Sequence, residues 1–237
     1  MYRSTDLLCF PDYILRAKDL NGDKHPQDRI MQPLVVSIAA GFTTTSSLLS
    51  WLLYGMITYP GMQDKLLQEL VDNGFESDTQ VTPDLISKLT FLDEYVKETL
   101  RRHSPSFQPA RTSKVDLVLP GGYKLPKDSV VIGATWHIHN NPKTWSNPTK
   151  FDPDRWSRET RVPGSYVPFA TGQRMCIGNS FVLQAVKVFL PKLVYRYEFS
   201  SAKETPVEYE PFFQLIRPTN VYVRAEPRVK WPPKSDA

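Results

Sequence analysis

The stretch Phe169-Ala-Thr-Gly172-Gln-Arg174-Met-Cys176-Ile-Gly178 decides how the rest of the chain is read. A glycine-containing loop delivers Cys176 to the start of a helix expected over 178–190. A helix N-terminus offers unpaired amide N–H groups and the positive end of the helix dipole, and both favour a thiolate. Arg174, two residues earlier, adds positive charge. Such a cysteine is primed as a nucleophile or as a metal ligand. The competing reading is a buried, inert thiol, the commoner fate of a lone cysteine.

Working outward, composition narrows the classes that this loop can serve. The chain has 237 residues, with 29 Lys+Arg against 25 Asp+Glu and a formal charge of +4. That length suits one or two domains with a sizeable core. The charge is too mild, and too scattered, to argue for nucleic acid. Hydrophobic residues at 41% and charged residues at 23% exclude wholesale disorder. Cys9 and Cys176 are the only cysteines, which excludes a disulfide scaffold and a multi-cysteine zinc or iron–sulfur site. The 21 prolines point to long irregular connections. The start, Met1-Tyr-Arg-Ser-Thr-Asp6, lacks the apolar run of a secretory signal.

The periodicity predicts a mainly α protein with small β-sheets. Residues 1–30 carry a weak helical pattern and a turn at Asn21-Gly22-Asp23. A long helix is expected from near Pro33 to Pro60-Gly61. Its Leu34–Ile57 portion is uncharged and long enough to span a membrane. The polar patch Gly41-Phe42-Thr43-Thr44-Thr45-Ser46-Ser47 at its middle favours the central helix of a soluble core instead. Further helices are expected over 62–73, from Thr82-Pro83-Asp84, and over 91–103, where Phe91, Leu92, Tyr95, Val96, Thr99 and Leu100 follow the helical period. Short strands are expected at 115–119 and 130–132 around Gly121-Gly122. A Pro- and Trp-rich connection should fill 140–168, Pro191 should stop the helix after the cysteine, a strand pair should lie within 211–225, and 227–237 should be a flexible tail.

The spacing Phe-x-x-Gly-x-Arg-x-Cys-x-Gly resembles the haem-ligand signature of the cytochrome P450 (haem-thiolate) family at every position. That resemblance implies that Cys176 ligates haem iron, that Phe169 packs beside the sulfur, that Gly172 and Gly178 allow close backbone approach, and that Arg174 reaches a haem propionate. Glu98-Thr-Leu-Arg101 is an i, i+3 pair at the edge of an apolar stripe, where a charge needs a partner. It resembles the family's Glu-x-x-Arg motif. Phe151-Asp-Pro153-Asp-Arg155-Trp156 resembles the partner segment, with Arg155 completing a structural triad. Arg111 sits where a second propionate-binding arginine is found in the family.

Ala40-Gly41-Phe42-Thr43-Thr44 resembles the family's oxygen groove, with Thr44 in the proton-delivery position. The family's acid immediately before that threonine is replaced here by Thr43, whose hydroxyl has neither the charge nor the acid–base behaviour of a carboxylate. Phe107-Gln108-Pro109 and Phe212-Phe213-Gln214-Leu215 fall where the family lines its substrate pocket; the alternative is core packing. His139, with no acid or second histidine beside it in sequence, reads as a packing residue.

The likeness runs over residues 34–228 and matches the C-terminal, haem-binding half of the family's single domain, built around a long central helix. It implies haem as cofactor, an NADPH-dependent reductase or other electron donor, and a small organic substrate that receives one atom of dioxygen, with secondary metabolism as the setting. Arg158, Arg161, Lys187 and Lys192 are candidates for steering an acidic redox partner. The membrane anchor and the segments that hold the other face of the haem are expected to be missing from this chain. The implied location is intracellular, at the periphery of the endoplasmic reticulum membrane. Two other readings stand beside the enzyme: a non-catalytic relic that binds haem weakly, and a membrane-spanning interaction protein built on residues 34–57. The latter leaves the cysteine motif unexplained.

Overall fold

The structure, a computed structural model, describes residues 9–203, 205–212 and 215–235. The chain divides into two compact units, residues 1–45 and 46–237.

In the first unit, a short helix α1 (Phe10–Arg16) leads into a turn. Asp19 organises that turn by accepting from the Asn21 and Asp23 amides at 2.8 and 3.0 Å, and Gly22 supplies the positive φ of 88°. Helix α2 (Gln27–Thr58) begins here. Its start lies earlier than the expected Pro33, which is inside the helix. A proline there removes one amide donor. It does so on an exposed stretch, where solvent can serve the Arg29 carbonyl.

α2 is the one described helix long and apolar enough to cross a membrane, and 17% of its most apolar window is buried. Its buried residues are Ser47, Leu48, Trp51, Leu52, Gly55 and Met56, all in the later turns. Val35, Val36, Ile38 and Phe42 are exposed. The core-helix expectation therefore holds for the later turns alone.

The second unit gathers four apolar faces. Leu48, Leu52 and Met56 of α2 pack with Leu66, Leu67 and Leu70 of α3 (Met62–Asp72), with Leu92, Tyr95, Val96 and Leu100 of α5 (Thr90–Arg102), and with Val182, Val186, Leu190 and Val194 of α8 (Asn179–Arg196). Each such side chain contributes about 1.5–3 kcal/mol of burial free energy. The short α4 (Pro83–Lys88) opens as expected, with Thr82 Oγ1 accepting from the Leu85 amide at 3.3 Å. Pro191 does not stop α8 but lies buried within it. Continuing the helix buries Val194 completely, and this gain offsets the roughly 3 kcal/mol that an interior proline costs.

Four two-stranded antiparallel sheets complete the described residues. The turn at Gly121-Gly122 is as expected, but the strand that β2 (Leu117–Val118) meets across it is β3 (Lys124–Leu125) rather than 130–132. β4 (Val130–Ile132) pairs not with that hairpin but with β1 (Ala110–Thr112), which sequence periodicity missed. The expected 211–225 strand pair is likewise split. β6 (Tyr209–Phe212) pairs with β7 (Leu215–Pro218), while β8 (Val223–Pro227) pairs with β5 (Tyr197–Ser201). Phe213 and Gln214 of the expected pocket turn lie outside the described residues.

The connection between β4 and α8 has little regular structure beyond α6 (Thr135–His139) and α7 (Arg155–Arg158). The segment beyond β8 was expected to be a flexible tail. Instead Trp231 donates to Tyr195 O at 3.1 Å, Gln68 donates to Pro233 O at 2.9 Å, and the Ser235 amide and hydroxyl both bind the Asp72 carboxylate. Polar side chains on α3, too distant in sequence to be anticipated, hold it.

Candidate functional site

The loop that carries Cys176 is built by local backbone geometry. Ala170 adopts φ 58° and Gly172 φ 77°, so the chain turns sharply twice before the 3₁₀ turn Gly172–Arg174. The Cys176 amide then donates to Phe169 O at 2.9 Å, closing the loop on itself. Phe169 anchors it by packing against the core of the second unit. Gly178 is the N-cap of α8, and a Cβ there would sit 4.0 Å from Cys176 Sγ. The two glycines thus serve different ends: Gly172 supplies a backbone conformation, and Gly178 keeps the flank of the sulfur open.

Cys176 is a free, exposed thiol. Around it Met175, Ile177 and Phe181 expose 48%, 85% and 76% of their surface, an apolar rim on a solvent-facing loop. Arg111 on β1 reaches across and donates from Nη2 to Arg174 O at 3.0 Å. The structure therefore brings together Cys176, Arg174, Arg111, Phe169, Gly172 and Gly178. A free thiol, an apolar rim and two arginines at one loop suit a flat apolar group with anionic substituents, as the donor set for haem requires.

A buried ionic network braces the irregular connection that precedes this loop. Glu98 and Arg101 are fully buried and Arg155 nearly so. Arg101 Nε and Nη2 donate to the two oxygens of Glu98 at 2.8 Å each, a bidentate pair. Arg155 Nε adds a contact to Glu98 Oε1 at 3.1 Å. The remaining guanidinium donors hold backbone carbonyls of the irregular connection, and Arg155 Nη1 also pairs with the Glu159 carboxylate at 3.2 Å. Arg101 reaches His139, Pro148 and Lys150, and Arg155 reaches Ser146, Asn147 and Lys150. Two further members were missed from sequence: the Asp152 amide and Trp156 Nε1 also donate to Glu98, at 2.9 and 3.2 Å. Both sit in the quoted segment 151–156, and adjacency to Arg155 was the available signal.

Thr44 lies in the first unit, where its hydroxyl donates to Ala40 O at 2.6 Å; Thr43 bonds back to Ala39 O at 2.9 Å in the same way. His139 is fully buried, as a packing residue should be, but its ring also accepts a hydrogen bond, from the Val167 amide at 2.9 Å. Burial holds it neutral, lowering its pKa to about 4. His103, which sequence reading passed over, is stacked on Trp51 and bonded to the Tyr59 hydroxyl at 3.0 Å; burial lowers its pKa to about 3. Of the four cations considered for partner steering, Lys187 is half-buried against Asp93 at 2.5 Å. Arg158 pairs with Asp152 at 2.7 Å, and Arg161 lies over the Trp156 ring.

Comparison with known proteins agrees with this geometry. A family model for Cytochrome P450 matches residues 3–223. Cytochrome P450 monooxygenase alnD of Emericella nidulans is 50% identical over 230 residues, covering 96% of this chain and 42% of that protein. Cytochrome P450 3A5 of Homo sapiens is 37% identical over 175 residues, covering 73% of this chain and 34% of that protein. The crystal structure of the cytochrome P450DA heme domain superposes with a TM-score of 0.82 at 28% identity, covering 92% of this chain and 49% of that one. The chain thus spans less than half the length of these relatives. The chain belongs to the cytochrome P450 family, whose cofactor is haem ligated by a cysteine thiolate.

Proposed function

We propose that this chain carries the haem-ligating part of a cytochrome P450-type monooxygenase that inserts one atom of dioxygen into a small organic substrate. The observation that carries the reading is the free thiol of Cys176, held at the head of α8 by the hydrogen bond from its amide to the Phe169 carbonyl and flanked by a loop that Arg111 ties in place. Haem bound there supplies an iron centre that activates dioxygen when a separate NADPH-dependent reductase, or another donor, delivers electrons.

The chain's own residues prepare that site. Cys176 would hold the group through its sulfur at the head of α8. Arg174 and Arg111 would neutralise the propionates of a bound haem, and Phe169 would pack beside the sulfur. Glu98, Arg101 and Arg155 fix the connection that precedes the loop, so that the thiol is positioned before any ligand arrives. Thr44 can pass its hydroxyl proton only by giving up its bond to Ala40, and Thr43 brings no carboxylate to reload it. Proton delivery by this pair is therefore slower than in a member that carries an acid there. Arg158, Arg161 and Lys192 remain on the surface as cations for an acidic electron donor, whereas Lys187 is committed to Asp93.

Reconstitution tests the reading. The purified chain, incubated with excess hemin and desalted, should retain haem and show the red-shifted band of a thiolate-ligated carbon monoxide complex after reduction. Cys176→Ala should abolish that band. A desalted protein without haem absorbance would overturn the reading and leave a non-catalytic relic.

A further inference from the structure

We propose that His139 is a positioning residue for the cysteine loop, linking the buried Glu98–Arg101 pair to the turn from which Cys176 is presented. The proposal rests on Cys176 as the haem ligand and extends it to a residue outside both motifs. His139 closes α6, is fully buried, and accepts two hydrogen bonds, one at its backbone carbonyl and one at its ring. Its backbone carbonyl accepts from Arg101 Nη1 at 2.8 Å. Its ring Nε2 accepts from the Val167 amide at 2.9 Å. Accepting at Nε2 places the ring proton on Nδ1.

Val167 is where the cysteine loop is launched. Its amide goes to His139 and its carbonyl accepts from the Ala170 amide at 3.1 Å, so both backbone polar groups of this residue are committed. The turn so formed contains Phe169, whose carbonyl receives the Cys176 amide. The connection therefore runs Glu98, Arg101, His139, Val167, Phe169, Cys176, with a hydrogen bond or a single turn at each step. The ring also stacks on Tyr166 with centroids 5.4 Å apart, and Tyr166 in turn donates to Lys97 O at 3.3 Å on α5. A phenyl ring would reproduce the stacking and the volume. It would not reproduce the acceptor, and it would leave the part-buried Val167 amide without this partner, which costs more than the bond itself contributes.

Three substitutions separate positioning from packing. His139→Phe keeps the ring and loses the acceptor. His139→Gln places a carbonyl oxygen near the Nε2 position. His139→Asn has the same amide chemistry but falls one methylene short. In the haem-free chain, His139→Phe and His139→Asn should speed amide hydrogen exchange at Val167 and Cys176 by roughly tenfold or more, while amides in the middle of α5 and α8 stay protected. His139→Gln should restore wild-type exchange. In the hemin-loaded chain the same order should appear as loss, loss and recovery of the thiolate band.

Equal exchange at Val167 and Cys176 in wild type, Gln and Asn variants would overturn the proposal, and so would a Gln variant no better than Asn. Should His139→Phe fail to fold, the Gln–Asn comparison decides alone. Because exchange is read without haem, a wild-type chain that never binds haem sinks the functional reading while the exchange pattern still judges His139.

Discussion

Glu98 is the residue on which the buried network turns. One carboxylate accepts from Arg101, Arg155, Trp156 and the Asp152 backbone, with no exposure to solvent. Taking those charges out of water is costly, and they remain tolerable because Glu98 faces both guanidiniums, Glu159 adds a second carboxylate to Arg155, and carbonyls occupy most remaining donors. Glu98→Gln removes the negative charge and leaves the Arg101 guanidinium buried without a counter-ion, while Arg155 keeps only its pair with Glu159 at 3.2 Å. The expected loss is about 3–5 kcal/mol, read as a lower urea midpoint with an unchanged denaturant slope. The i, i+3 spacing with Arg101 and the position beside an apolar stripe made this pair visible in sequence. The contribution of Trp156 and of the Asp152 amide was not visible, because a hydrogen bond across 54 residues leaves no local pattern.

At the scale of elements, α5 shows how a helix end is completed from outside its own sequence. Its N-cap, Leu89, has no side-chain acceptor. Glu69 on α3 replaces it, accepting from the Phe91 and Leu92 amides at 2.6 and 2.9 Å and from Thr90 Oγ1 at 3.3 Å. The carboxylate also faces the positive end of the helix dipole. Glu69→Ala should cost about 1–2 kcal/mol in thermal or urea unfolding, as the loss of a good cap does. Glu69→Gln should recover part of it, since the amide oxygen still accepts. The helical period of α5 was plain in sequence, but its cap was not, because the capping residue belongs to another helix. Pro191 gives the same lesson in reverse. Its chemistry argues for a helix end, and burial of Val194 beyond it decides otherwise.

Over the whole molecule, two buried histidines set the response to acid. Burial depresses His103 to about 3 and His139 to about 4, both below the unfolded value near 6.5. Between these values and 6.5 the unfolded chain binds protons that the folded chain refuses. Their contribution to stability is therefore complete above about pH 6.5 and is lost as pH falls toward 4 and then 3. It amounts to several kcal/mol together, on the scale of about 1.4 kcal/mol per pH unit for each group. Urea midpoints measured from pH 7.5 down to 4.5 should fall steadily. His139→Gln, which cannot titrate, should show a shallower fall. For His139 the proton must enter at the nitrogen that accepts from Val167, so acid also releases the turn before Cys176.

The local sequence determined the helices of strong period, the turns at Asn21-Gly22-Asp23 and Gly121-Gly122, and the cysteine loop with its glycines. Each of these rests on interactions between residues a few positions apart. The tertiary structure alone decided that β1 pairs with β4, that α8 runs through Pro191, that the last described residues dock on α3, and that His139 bonds to the cysteine loop. These depend on burial and on hydrogen bonds between residues far apart in the chain, where the free energy of excluding water from a shared core outweighs local preference.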